Sequence, residues 1–261
     1  MGAEFNAFTD KENCCIYADF IDTYLDNSTE LLFDILLNPS FLEEHIKTEK
    51  KVIIEEIKMM EDSPSENVMN YFYKAVLDGH PLSLPIMGTQ NSLKKIKKSI
   101  ILEYFKKKFD ISRIVISAAG NVTHKALVEK IKRNIGKIEN KKNKWVFKKQ
   151  KPAHNKSIKK IPSRKTSSVH MCFGGPGCNR DSKDKYPISL LTNLLGGSMS
   201  SRLFQRIREE EGLAYSIFSS NIQYLDTGII VIYAASSPKN TDRVLELIKD
   251  EIRSIIKYGI K

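Results

Sequence analysis

The stretch at residues 195–216 reads LGGSMSSRLFQRIREEEGLAYS and contains the clearest structural signals in the chain. Its apolar residues recur with helical period over residues 201–211, and Gly212 follows in the position of a C-terminal helix cap. Strands are predicted at residues 214–224 and 228–235, because Asp226-Thr227 between them is a hairpin signal. A closing helix is predicted at residues 241–258. This half of the chain is therefore expected to combine antiparallel strands with helices.

The N-terminal half has a similar order of strands and helices. Strands are predicted at residues 14–20 and 113–120, and helices at residues 29–37, 42–61, 65–77, 99–109 and 124–135. Ile16-Tyr17-Ala18 and Ile232-Tyr233-Ala234 each precede a helix, which indicates two copies of one module. The predicted fold class is α+β, with two homologous modules, each an antiparallel-rich sheet with helices packed on one face.

A change of composition separates the two modules. From about residue 140 to residue 165 the chain is rich in lysine, asparagine, proline and serine and lacks a helical or strand period. We therefore predict an N-terminal domain at residues 1–140, a lysine-rich linker at 141–165 and a C-terminal domain at 166–261.

Composition argues against several functional classes. No run of about 18 uninterrupted apolar residues is present, and the N-terminus lacks the basic-then-apolar order of a secretory signal, so no membrane partner is expected. The net charge of +11 could suggest nucleic-acid binding, but zinc-finger spacings and RNA-recognition strand motifs are absent. The four cysteines form no C-x-x-C pair. We expect no nucleic-acid partner.

The helix at residues 42–61 carries the residues of greatest chemical interest. Its apolar residues centre on Ile53 and Ile57, whereas Glu55 falls on the opposite, wet side. Glu49 and Glu56 fall at the edge of the apolar stripe, about 10 Å apart along the helix axis. A carboxylate against a core must be paired, hydrogen-bonded or coordinated. A structural salt bridge and a catalytic or metal-binding role both remain open from this pattern.

Four motifs carry a resemblance to a known family. They are GAEFNAFT at residues 2–9, EKKVIIEEI at 49–57, LGGSMSSRLF at 195–204 and GLAYS at 212–216. The chain resembles, over essentially its whole length, the pitrilysin, insulinase and mitochondrial-processing-peptidase family of zinc metallopeptidases, and most closely its bacterial branch. The resemblance implies a zinc metalloendopeptidase that hydrolyses peptides or presequences.

The resemblance also implies a metal site. In this family two histidines of an H-x-x-E-H helix and a downstream glutamate hold Zn²⁺, and the glutamate inside the motif is the general base. By that likeness Glu56 is the third zinc ligand, and Glu49 is the neighbouring carboxylate that orients the catalytic site.

Substrate contacts are implied in the same way. Asn6, Ala7 and Phe8 correspond to an edge strand that receives the substrate as an added β-strand. Arg208 and Tyr215 correspond to the catalytic pair that reaches the substrate backbone near the scissile carbonyl, where negative charge develops. The implied partners are a peptide or unfolded polypeptide and a second subunit, in a homodimer or a paired assembly. The implied location is the cytoplasm of a bacterial cell or, alternatively, an organellar matrix.

The sequence departs from the family at the metal site. None of the five histidines stands four residues from another, so H-x-x-E-H is absent and tight Zn²⁺ binding by this chain is not expected. We expect a fragment of an active peptidase whose missing segment supplies both histidines and the base. The alternative is a non-catalytic partner subunit that binds peptides and lends Arg208 and Tyr215 to an active companion.

Overall fold

The computed structural model describes residues 2–135, 148–150, 158, 162 and 166–260. These residues form two compact units, taken from Met1–Glu55 with Ile86–Phe147 and from Glu56–Pro85 with Lys148–Lys261. These units differ from the predicted domains because residues 56–85 pack with the C-terminal half. The domain boundaries at residues 140 and 165 remain a prediction. Most of the predicted linker lies outside the described residues.

Regular elements cover most of the described chain. The strands are β1 (Glu4–Thr9), β2 (Cys14–Asp19), β3 (Val169–Pro176), β4 (Ala214–Gln223) and β5 (Gly228–Ser236). The α-helices are α1 (Leu25–Leu37), α2 (Glu43–Asp62), α3 (Pro64–Val76), α4 (Gln90–Lys95), α5 (Lys98–Lys108), α6 (His124–Ile135), α7 (Lys185–Gly196) and α8 (Thr241–Tyr258). A π-helix runs over Phe204–Glu210, within the helix predicted from the sequence. None of the described helices combines the length and the apolar character needed to cross a bilayer.

The first unit contains a β-hairpin and helices. Strands β1 and β2 pair antiparallel, with Asn6 opposite Tyr17. The turn between them is held by Asp10, whose Oδ1 accepts hydrogen bonds from the backbone N–H groups of Glu12 and Asn13. Helices α1 and α6 are joined by an ion pair between Asp26 and Lys130.

The strand predicted at residues 113–120 is wrong. A short 3₁₀-helix occupies Ile111–Arg113, and no strand is assigned over the rest of the segment. The side chain of Val115 is 94% exposed there. The sequence IVISAA has the right residues for a strand, but a strand also needs a hydrogen-bonded neighbour, and no described strand pairs with it.

The second unit is built on a three-stranded antiparallel sheet in the order β3-β5-β4. On one face of β5, Ile232 and Ala234 join a core formed with α7, the π-helix and α8. On the other face, Ile229 and Val231 join a core that includes Phe72 of α3. Side chains alternate between the faces of a strand, so both cores follow from one apolar strand. Mixed helices and antiparallel sheets confirm the predicted α+β class.

Polar contacts attach the α3 region to this sheet. The hydroxyls of Tyr73 and Tyr224 lie 2.6 Å apart. The buried ring of His80 accepts at Nδ1 from the backbone N–H of Leu82, so Nε2 carries the proton directed at Asp226 Oδ2, 3.4 Å away. These contacts explain why residues 56–85 belong to the second unit.

Candidate functional site

One exposed face of α2 carries both candidate carboxylates. Glu49, Val52, Glu56 and Met59 recur at helical spacing and form what we call the acidic face of α2. Ile57 is buried as predicted, but Glu49 and Glu56 are exposed, which corrects the expectation that they are set against a core. Val52 and Met59 beside them are 46% and 72% exposed. The described residues cover only the Ile57 side of the helix.

Neither carboxylate of this face has a structural partner in the described parts of the chain. The side chains of Glu49 and Glu56 make no hydrogen bond or ion pair with any residue of the described ranges. The salt-bridge explanation left open by the sequence therefore finds no partner there. An unpaired, accessible carboxylate oxygen is also what a metal ligand requires.

The donor set for zinc is incomplete. Across residues 2–135 and 166–260 and the few described between them, no group of three potential ligands stands together. His45 lies one turn before Glu49, but its nearest described acidic neighbour is Glu44, 4.0 Å away, and both side chains are exposed. Glu56 thus fits one ligand position of a four-coordinate site, and the described residues do not supply the rest.

Arg208 projects from the π-helix. Its side chain is exposed, and its guanidinium carbon lies 4.8 Å from the ring centre of Phe204, close enough for a cation–π contact. On the inner side of the helix Leu203 and Ile207 are fully buried. Single π-helical turns are rare and frequently occur at functional sites.

Tyr215 sits in a β-bulge at the start of β4. Ala214 pairs with Ser236 and Ser216 pairs with Ala235, so Tyr215 is the extra residue between them. Its side chain is 67% exposed, and its hydroxyl has no hydrogen-bond partner among the described residues. Arg208 and Tyr215, the pair predicted to reach the scissile region, therefore both lie on backbone irregularities, and Gly212 between them has a φ of 60° that ends the helix.

At Ser216, the residue that follows Tyr215 in β4, the second unit contains an open pocket of about 490 Å³ that was not predicted from the sequence. Its lining is mainly apolar, with the charged or amide groups of Glu66 and Asn70 at one side; the lining residues are Met60, Ser65, Glu66, Met69, Asn70, Ser216, Phe218 and Tyr233. Glu66 and Asn70 are spaced four apart on α3, which is the only sequence signal that could have pointed to them.

Tyr233 connects the pocket to a partly buried histidine, His170. The hydroxyl of Tyr233 lies 2.7 Å from His170 Nδ1, and Ser168 Oγ lies 2.9 Å from His170 Nε2. Burial lowers the pKa of His170 below its ordinary value. Burial also raises the pKa of Tyr233, its hydrogen-bond partner. Both groups are therefore neutral near pH 7, and the pocket wall carries its negative charge on Glu66.

The predicted substrate strand is present in the first unit. Asn6, Ala7 and Phe8 lie on β1, whose partner among the described strands is β2 alone, so its other edge is open in the described structure. All three side chains are exposed, and Asn6 Oδ1 accepts from the backbone N–H of Ala7 at 2.8 Å. The hydrogen bond is local and leaves the open edge free of any described strand.

Comparisons with known proteins cover the whole chain. The family model described as "Peptidase M16 inactive domain" matches residues 95–261, and the one described as "Insulinase (Peptidase family M16)" matches residues 1–90. The chain is 34% identical, over 260 residues, to the uncharacterized zinc protease YmxG of Bacillus subtilis, which covers 100% of this chain and 63% of that protein. It is 32% identical to the uncharacterized zinc protease SCO5738 of Streptomyces coelicolor, covering 100% of this chain and 58% of that protein.

A solved structure gives the same answer for the fold. The peptidase M16 inactive domain from Pseudomonas fluorescens matches with a TM-score of 0.87 at 19% identity, over 100% of this chain and 63% of that chain. The chain therefore spans less than two thirds of the length of the relatives that it matches.

Proposed function

Because the chain belongs to the pitrilysin and insulinase family, peptidase family M16, we propose that the full-length protein carrying it is a zinc-dependent endopeptidase. Its substrates are peptides or unfolded polypeptides. The H-x-x-E-H segment, which is absent from these 261 residues, is supplied by the rest of the protein. The names of the bacterial relatives, uncharacterized zinc proteases, support the metal and the reaction class.

The acidic face of α2 is the observation that carries this proposal. Two carboxylates without a partner among the described residues lie beside two exposed apolar side chains, so covering this surface would bury apolar area. A second helix carrying histidines would bury Val52 and Met59 and would bring nitrogen ligands to Glu56. A carboxylate kept free of ion pairs needs no rearrangement before it binds a cation.

Each candidate residue has a distinct role in this proposal. Glu56 contributes one oxygen ligand, and Glu49 orients the site from one side. When bound, Zn²⁺ supplies Lewis-acid polarisation of the scissile carbonyl. The exposed guanidinium of Arg208 and the free hydroxyl of Tyr215 donate hydrogen bonds to the substrate backbone where negative charge develops.

Substrate is held by two further features. The open edge of β1 at Asn6, Ala7 and Phe8 pairs with an extended peptide through main-chain hydrogen bonds, which select little by sequence. The pocket at Ser216 supplies selectivity, because its methionine and aromatic walls suit the apolar part of a side chain and Glu66 suits a cationic end.

A second candidate function is a non-catalytic, peptide-binding partner subunit. The description of the model that matches residues 95–261, an inactive domain, favours it, as does the absence of H-x-x-E-H from the chain. In this case Arg208 and Tyr215 act on a peptide held by an active companion. Pairing with a second subunit is part of both proposals.

One experiment separates the two functions. The full-length gene product is purified, its zinc content is measured, and hydrolysis of a quenched fluorescent peptide is followed with and without chelator. The peptidase proposal expects an upstream reading frame that encodes H-x-x-E-H, one zinc per chain and chelator-sensitive cleavage. A complete gene without that motif, whose product binds peptide but does not cleave it, would establish the partner-subunit function instead. A sedimentation measurement on the same sample tests the homodimer.

A further inference from the structure

A buried carboxylate ties the π-helix to α8. Glu251 of α8 is 6% exposed, and its two oxygens accept from Arg202 Nε at 2.8 Å and from Arg206 Nη1 at 2.5 Å. Arg202 Nη2 also reaches Ser254 Oγ at 3.4 Å. We call Glu251, Arg202 and Arg206 the Glu251 clamp.

The clamp binds this segment through Arg202 and Arg206, whereas Arg208 contacts the ring of Phe204 instead. Leu203 and Ile207 anchor the helix in the core, Arg202 and Arg206 extend towards α8, and Arg208 projects into solvent over Phe204. The same short helix thus has a buried face, a clamped face and the face that carries the substrate contact of the proposed function. A rotation of the helix that moves Arg208 would also displace Arg206, whose guanidinium is bonded to Glu251.

A π-helix needs such support more than an α-helix does. Its wider turn is rare because its backbone geometry is less favourable, as in the long Glu211 N–H to Arg206 C=O bond of 3.3 Å. In an α-helix over the same residues, side chains after Phe204 would project in different directions. Tertiary contacts therefore decide which helix forms, and the clamp includes Arg202, two residues before the π-helix, and Arg206 inside it.

The presence of a buried ion cluster is better explained by the single conformation that it selects than by a gain in stability. Desolvation of the charges offsets much of their attraction, so an apolar replacement of similar shape is often as stable. Glu251 also lies in the middle of the apolar stripe of α8, with Val244, Leu247 and Ile248, where an apolar side chain would pack directly. A charged residue in this place points to a geometric role.

We propose that Glu251 is a positioning residue that, through Arg202 and Arg206, holds the π-helix so that Arg208 meets the substrate backbone. The inference rests on the proposed function, because it requires Arg208 to contact substrate. Glu251 itself touches neither substrate nor metal. It affects the reaction only by fixing the orientation of the Arg208 side chain.

A double-mutant cycle in the full-length gene product tests the clamp. Glu251→Gln, Arg208→Ala and the double variant are compared for kcat and KM on a quenched peptide, and for affinity towards a fluorescent, uncleaved peptide. Glu251→Gln is expected to lower kcat by about 10- to 100-fold with a smaller change in KM, because a small misplacement of a positioning group costs about this much. In a protein that binds without cleaving, the expected loss is in peptide affinity. The double variant is expected to be no worse than Arg208→Ala alone.

Asp250→Asn is the matched control. Asp250 lies on α8 next to Glu251 and also pairs with an arginine, Arg253, but both residues of that pair lie on α8 itself. The control is expected to behave as wild type. If Glu251→Gln does not fold, Arg206→Lys takes its place, since lysine keeps the charge but loses the forked donors.

The outcomes distinguish a failure of the proposed role of Arg208 from a failure of the proposed role of Glu251. If Arg208→Ala changes neither turnover nor peptide affinity, the proposed role of Arg208 fails, and the clamp inference fails with it. If Arg208→Ala is damaging but Glu251→Gln is not, or if the two losses add fully, only the clamp inference is overturned. A purely structural Glu251 would lower the melting temperature while the folded fraction kept its full kcat.

Discussion

Glu56 is the residue on which the metal assignment depends, and its neighbour on the helix provides the control. In the full-length protein, Glu56→Gln keeps the size of the side chain but removes the charge of a zinc ligand. We expect zinc occupancy and peptide hydrolysis to fall together, while the metal-free variant and the metal-free wild type melt at the same temperature, because Glu56 has no ion-pair partner among the described residues. Zinc content by atomic absorption and turnover of a quenched peptide measure the two effects.

Glu49 and Glu55 make the same test quantitative. Glu49→Gln should reduce zinc affinity or activity by about 10- to 100-fold, the usual cost of losing a group that orients a ligand. Glu55→Gln, which is about 100° around the helix from Glu56, should leave both nearly unchanged. Equal effects of Glu55→Gln and Glu56→Gln would refute the assignment, because only the direction of the side chain distinguishes these neighbours.

Cys172 and Cys14 differ in chemistry for a physical reason. Burial raises the pKa of the Cys172 thiol to about 12, whereas Cys14 is exposed on β2. At pH 8 only about one Cys172 in ten thousand is then a thiolate, the reactive form. We expect iodoacetamide at pH 8 to alkylate Cys14 and to spare Cys172 until the protein is unfolded. Peptide mass mapping reads out the result, and equal labelling of both in the native protein would contradict it.

At the scale of elements, the contact between α7 and β4 depends on a glycine. A Cβ added to Gly196 at the end of α7 would lie 2.6 Å from the backbone nitrogen of Ser219, so the helix would have to move away from the strand. We expect Gly196→Ala to destabilise the protein by about 1–3 kcal/mol, as overpacking does. Gly175→Ala in β3 is the control, because no atom of the described residues lies within 4 Å of its added Cβ. Urea unfolding of both variants measures the difference.

The link between the π-helix and α8 should make stability depend on pH. Burial alone would raise the pKa of Glu251, but hydrogen bonds from Arg202 and Arg206 outweigh it, and the pKa lies below the ordinary glutamate value. Because this pKa is lowered, ionised Glu251 contributes to the free energy of unfolding at pH values above its unfolded-state pKa. The contribution is lost as the pH falls through the folded-state pKa.

The expected difference between wild type and Glu251→Gln is about 1–3 kcal/mol at pH 7, the range for hydrogen bonds to a charged group. The two arginines are about one third exposed, so a larger effect is not expected. The difference should shrink as the pH is lowered below the ordinary range of glutamate, because protonated Glu251 resembles glutamine. Urea denaturation at a series of pH values tests this, and a gap that is independent of acid pH would mean that Glu251 is not ionised in the fold.

At the scale of the whole molecule, metal binding should require more than these 261 residues. Glu56 offers one ligand, and a catalytic zinc site needs three ligands from the protein, so we expect the chain alone to retain no zinc after dialysis and to cleave no peptide. Metal analysis of the purified chain, with the full-length protein measured in parallel, provides the comparison. Stoichiometric zinc in the chain alone, with chelator-sensitive cleavage, would show that it contains a different site.

The two units also show how packing can differ from sequence order. The sequence predicts a boundary in the lysine-rich segment after residue 140, where composition changes. In the structure residues 56–85 pack with the C-terminal sheet, because Phe72, Tyr73 and His80 meet partners on β4, β5 and the hairpin between them. Those partners are separated from them by about 150 residues of sequence, as in the Tyr73–Tyr224 pair at a separation of 151.

The amino-acid sequence by itself determined most helices, the β4–β5 hairpin and the α+β class, because these depend on local periodicity, caps and turn residues. The motifs around Glu56, Arg208 and Tyr215 also indicated the family and the residues to examine. Only the tertiary structure decided that Val115 has no partner among the described strands, that Glu56 is exposed rather than set against a core of described residues, and that Glu251 holds Arg202 and Arg206. Each of these depends on which distant residues lie beside a side chain, and local patterns do not encode that.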